Sequence, residues 1–93
     1  MPSQKRSEPY KISVDPHFLE DLQWWVETQP RIATKILKLT KEIQRSPFEG
    51  IGKYERLKHF DSNTASRRIT GEHRLVYRVD GVWIDLLQCR YHY

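Results

Sequence analysis

The sequence predicts an α+β domain in which two N-terminal helices pack on a twisted, mostly antiparallel sheet of four to five strands. Three observations carry this expectation. Residues 16–45 hold two stretches with apolar residues at helical spacing, each opened by a proline. Beyond residue 55 the apolar period shortens to that of a strand. Turn sequences, Asp80-Gly81 above all, punctuate this second region at hairpin spacing.

Taken in order, residues 1–9 read as a loose, proline-bounded tail, and residues 10–93 as one domain. Tyr10, Ile12 and Val14 alternate with Lys11 and Ser13, the pattern of a short strand. Asp15-Pro16 supplies an N-cap followed by proline at the first helical position. Phe18, Leu22, Trp25 and Val26 then form one stripe of a helix running to about Thr28. Gln29-Pro30 breaks it. A second helix follows, with Ile32, Ala33, Ile36, Leu39 and Ile43 on its apolar face and Arg31, Lys35, Lys38, Lys41 and Glu42 mostly outside it. Ser46-Pro47 ends that helix, because proline disfavours a helical residue before it. Phe48 to Tyr54, with two glycines, reads as a loop. Strands are expected over Leu57–His59, Ala65–Thr70, Arg74–Val79 and Val82–Cys89, separated by turns at Asp61-Ser-Asn, Thr70-Gly71-Glu72 and Asp80-Gly81. With the helices on one face, the opposite face is left open or covered by something else.

Composition narrows the partners. The chain has 93 residues, 38% of them hydrophobic, with a net charge of +4. The excess lies mainly beyond residue 50, where eight basic residues face five acidic ones, so anionic partners are favoured and the C-terminal half is the place to look for a site. Cys89 is the sole cysteine, which excludes an intramolecular disulfide and fits a reducing compartment, the cytoplasm. No apolar run has the length of a membrane span, and no secretory signal opens the chain.

The residues capable of chemistry fall in three places. Alternation along Arg74–Val79 puts Leu75, Tyr77 and Val79 towards the helices, and Arg74, Val76 and Arg78 on the other face, where Arg68 joins them if the hairpin register is favourable. Planar guanidiniums grouped there suit phosphate oxygens, although an ordinary solvated strand carries such residues too. In EGIGKYERLKH the glycine spacing matches neither the dinucleotide fingerprint nor the phosphate-binding loop of NTPases. Glu55 stands there among Lys53, Arg56 and Lys58, which favour an ionised carboxylate able to accept a proton; a plain surface charge cluster has the same look. The third place is the CRYHY end, where His92 titrates near neutrality between two tyrosines. His17, His59, His73 and His92 have no spacing suited to a shared metal, so neither a metal nor any other cofactor is expected. A carboxylate, an arginine and a histidine together fit metal-free RNA cleavage, as base towards a ribose 2′-hydroxyl, as stabiliser of phosphate charge and as acid towards the leaving 5′-oxygen. Tyr91 or Tyr93 is suited to stacking a base.

The stretches SPFEGIGKYERLKH, SRRITGEHRLVYRV and CRYHY, with WWVETQPRI before them, resemble the YoeB (Txe) family of toxins, a branch of the RelE superfamily. The resemblance covers residues 10 to 93 and implies a RelE-like, microbial-RNase-like fold. It implies that Glu55 is the general base, Arg74 the transition-state arginine and His92 the general acid. Lys58 and Arg68 match basic residues that hold the scissile phosphate region, Tyr93 matches a terminal aromatic near the substrate, and Lys53 and Arg67 join them as expected RNA contacts. The implied function is that of the toxin in a type II toxin–antitoxin system, a ribosome-dependent mRNA interferase acting in the A site. Its expected partners are a YefM/Axe-like antitoxin, the bacterial ribosome with its mRNA, promoter DNA only through the antitoxin complex, and a second copy in a homodimer; no membrane is expected. This chain departs from the family in having Tyr54 where proline usually precedes the glutamate. A non-catalytic RNA- or antitoxin-binding module, its activity lost through that change, is the alternative.

Overall fold

The computed structural model describes residues 8–49, 55–56 and 63–91. In chain order these form strand β1 (Lys11–Val14), helices α1 (Pro16–Thr28) and α2 (Pro30–Arg45), and strands β2 (Glu55–Arg56), β3 (Thr64–Thr70), β4 (His73–Asp80) and β5 (Trp83–Gln88). The strands make one sheet in the order β1-β5-β4-β3-β2, with β1 parallel to β5 and every other pairing antiparallel. The strand expected at Leu57–His59 and part of the loop expected at Phe48–Tyr54 lie outside the described residues, as do residues 1–7 of the expected tail.

Asp15 opens α1 as foreseen, its Oδ1 accepting from the His17 N–H at 2.8 Å, with Pro16 fixing the first helical φ. Gln29 serves both helices: its N–H donates to the Trp25 carbonyl at 2.7 Å, and its own carbonyl accepts from Ile32 at 2.9 Å. Proline at position 30 can begin a helix but cannot continue one, so the chain turns there.

The core lies between the helices and one face of the sheet. Phe18 and Trp25 from α1 and Ala33, Ile36, Leu39 and Ile43 from α2 meet Ala65, Ile69, Leu75, Tyr77, Val79, Ile84 and Leu86 from β3 to β5. The expected stripe of α1 needs one correction, since Val26 is exposed and the buried positions are Phe18, Asp21 and Trp25, spaced by three and four residues. Tyr77, fully buried, donates its hydroxyl to the Pro47 carbonyl and so anchors the end of α2 to β4. At the hairpin between β4 and β5, Gly81 takes φ +63°, which glycine adopts without a Cβ penalty.

Candidate active site

Glu55 belongs to strand β2, between the expected loop Phe48–Tyr54 and the strand expected from Leu57. It pairs with Ser66 of β3, which in turn pairs with Val76 of β4, so Glu55, Ser66 and Val76 form one row on the sheet face away from the helices. On the same face Arg68 and Arg74 stand directly opposite each other, the favourable register for Arg68 to join this face. Arg74 lies across this face, donating from Nε to Ser66 Oγ at 2.7 Å and placing a terminal nitrogen 3.7 Å from Glu55 Oε1. The Arg74 side chain is only 9% exposed and that of Glu55 is 54% exposed, so the guanidinium is fixed while the carboxylate remains open to a ligand. At that separation the two attract as an ion pair, beyond ordinary hydrogen-bond distance. Arg68 is exposed beside them. Like charges facing each other across a strand pair repel, and a bound anion would relieve that repulsion.

The backbone brings the C-terminal segment to the same place. The Arg74 N–H donates to the Tyr91 carbonyl at 2.9 Å, and the Tyr91 N–H donates to His73 Nδ1 at 2.7 Å. Tyr91 holds φ +61°, a left-handed conformation uncommon outside glycine. Its ring is half exposed. His92 and Tyr93 follow it in the chain and lie outside the described residues, as do Lys53, Tyr54 and Lys58.

Two expectations are corrected. Arg67, expected to contact RNA, is fully buried on the helix face, in phase with Ala65 and Ile69. Its guanidinium donates to the carbonyls of Ser46 at 2.6 Å and Glu49 at 2.5 Å, holding the chain after α2 against the sheet. Arg78 does point away from the helices, but Asp85 of β5 binds it at 2.9 Å, which makes it a strand-to-strand tie. Ser13 of β1 donates to the same carboxylate, and that hydrogen bond, opposed by partial burial and helped by Arg78, holds the Asp85 carboxyl below its ordinary range. Of the two expected alternatives for this face, open or covered, it is in part the covered one, since Thr64, Ser66 and Val76 are buried there and Ser66 accepts from Arg74.

Sequence reasoning missed the residues that hold the C-terminal segment. Asp21 of α1 accepts the Cys89 N–H at 3.0 Å, and Trp25 Nε1 donates to the Cys89 carbonyl at 2.8 Å. The signal was an acid set on the apolar stripe between Phe18 and Trp25. Burial, followed by the nearby Asp21 carboxylate, pushes the Cys89 thiol far up, so it is not a nucleophile. Among the described residues no group of histidine, cysteine and acidic side chains could hold a metal ion, and no helix is long and apolar enough to cross a membrane.

A family described as "YoeB-like toxin of bacterial type II toxin-antitoxin system" matches residues 14–93. Toxin YoeB of Escherichia coli K12 is 53% identical over 74 residues, which is 80% of this chain and 88% of that protein. A YoeB dimer from Staphylococcus aureus superposes with TM-score 0.81 at 41% identity, covering 90% of this chain and 98% of that one. The same organism's heterotetrameric YoeB–YefM complex gives TM-score 0.78 at 41% identity, with the same coverage of both chains. The fold is the expected RelE-like α+β fold, and the chain belongs to the YoeB family of toxins from bacterial type II toxin–antitoxin systems.

Proposed function

We propose that this toxin is a metal-independent endoribonuclease that enters the ribosomal A site and cuts the mRNA there. The observation that carries the reading is the placement of Glu55 beside Arg74 on one sheet face, with the backbone of Arg74 bonded to Tyr91, the residue before His92. Glu55 takes the proton of a ribose 2′-hydroxyl, and the freed oxygen attacks the adjacent phosphorus in line. Arg74, already oriented by Ser66, stabilises the charge that builds on the phosphate oxygens without having to reorganise. His92 protonates the departing 5′-oxygen, leaving a 2′,3′-cyclic phosphate and a 5′-hydroxyl. Arg68, Lys58 and Lys53 hold the flanking phosphates and Tyr93 stacks on a base. Residues 10–93 act as one catalytic domain, and DNA, lacking the 2′-hydroxyl, is not cut.

A YefM/Axe-like antitoxin restrains the toxin in this reading, by analogy with the Staphylococcus aureus YoeB–YefM complex, and promoter DNA is bound only through the antitoxin. A homodimer is proposed from the dimeric Staphylococcus aureus relative. The test is mapping of mRNA cuts in a translating bacterial extract. Wild type should cut within ribosome-bound codons, and Glu55→Gln, Arg74→Ala and His92→Gln should each slow cutting about 100-fold or more while still binding antitoxin. Variants that cut as fast as wild type would overturn the assignment, and a wild type that binds RNA without cutting would leave a non-catalytic module.

A further inference from the structure

The segment 89–91 is gripped at every residue, and mostly by side chains. Asp21 and Trp25 stand four residues apart on α1, so they leave the same helix face and hold the N–H and the carbonyl of Cys89 from two sides. Arg90 stacks over the Trp24 ring, 3.7 Å from its centroid. Tyr91 is fixed through both peptide groups, by His73 Nδ1 and by the Arg74 N–H, in a backbone conformation that L-residues rarely adopt.

His73 joins these contacts together. Its ring meets Trp25 edge to face, with centroids 4.8 Å apart and planes at 87°, so the tryptophan that holds residue 89 also orients the imidazole that holds residue 91. In this contact Nδ1 is the acceptor of the Tyr91 N–H, so the imidazole serves here as a hydrogen-bond acceptor. Neighbouring residues of a strand point to opposite faces. His73 therefore reaches the C-terminal segment on the helix side while Arg74 reaches Glu55 on the other, and one dipeptide ties both halves of the site to the same backbone.

We propose that His73, supported by Asp21 and Trp25, is a positioning residue of the cleavage reaction, because it fixes the backbone of Tyr91, the residue that precedes His92 in the chain. A segment that needed only to be tied down would be served by the buried Cys89 side chain; a left-handed turn held from both peptide groups sets an angle as well.

The inference rests on the endoribonuclease reading, and two readouts separate their failures. His73→Phe keeps a ring against Trp25 but loses the acceptor; His73→Asn loses the ring but puts an amide oxygen near the Nδ1 position. In a translating extract, His73→Phe should lower kcat by about 10- to 100-fold with KM unchanged, and His73→Asn should recover most of it. Amide hydrogen exchange at Tyr91 should be about tenfold faster or more in His73→Phe than in wild type and close to wild type in His73→Asn. Equal kcat in His73→Phe and wild type overturns the proposal, as does loss of activity in both variants alike, which would mark His73 as a packing residue only. If wild type itself does not cut, the endoribonuclease reading falls, and the Tyr91 exchange rates alone decide whether His73 holds the segment. Should His73→Phe not fold, Trp25→Phe, lacking the Nε1 donor, gives the same comparison at the Cys89 carbonyl.

Discussion

Neighbouring arginines on β3 have opposite employments. Arg67, buried and bonded to the Ser46 and Glu49 carbonyls, is structural, and Arg67→Ala should cost about 2–3 kcal/mol in urea unfolding because it strands two carbonyls. Arg68, exposed beside Arg74, should show the reverse: Arg68→Ala leaves stability within about 0.5 kcal/mol but raises KM for cleavage about tenfold. The period of β3 separates them, since Arg67 is in phase with Ala65 and Ile69, a signal that the expectation of an RNA contact at Arg67 passed over. Arg78 is different, because nothing near it in sequence announces the Asp85 carboxylate that binds it across the hairpin. Cys89 gives a third residue-scale expectation. With burial and the Asp21 carboxylate both disfavouring the thiolate, maleimide at pH 8 should leave the folded protein unlabelled and label it fully in denaturant.

Between elements, the Asp85 carboxylate joins three strands, accepting from Ser13 on β1 and Arg78 on β4. Its folded pKa lies below the ordinary 3.8, so its contribution is fully present above that value and is lost as pH falls through the lower folded one. Asp85→Asn should therefore reduce stability at pH 7 and flatten the loss seen in wild type below about pH 4, measured by urea midpoints across that range. The helices were legible because their limits are local chemistry: Asp15-Pro16, Gln29-Pro30 and Ser46-Pro47 mark ends regardless of tertiary context. Strand β2 was not legible, because two residues exist as a strand only through their pairing with Ala65 and Ser66. The parallel β1–β5 contact was hidden for the same reason, joining residues about seventy positions apart.

For the molecule as a whole, the α+β class followed from periodicity, whereas the register that sets Arg68 opposite Arg74 and the grip of Asp21, Trp25 and His73 on residues 89–91 needed coordinates to be seen. On the proposed reading RNA binding falls with added salt as phosphate contacts are screened, and removing Arg68 should shrink the logarithmic salt slope by about 0.7, the share of one phosphate contact on a single strand. The strand order has a consequence for how the toxin is made. Strand β5 lies between β1 and β4, and the residues just after it close the site, so the earliest strand has no parallel neighbour until nearly all of the chain has been synthesised. On the endoribonuclease reading proposed above, a half-finished polypeptide therefore lacks a completed site, and cutting begins only once Tyr91 reaches Arg74.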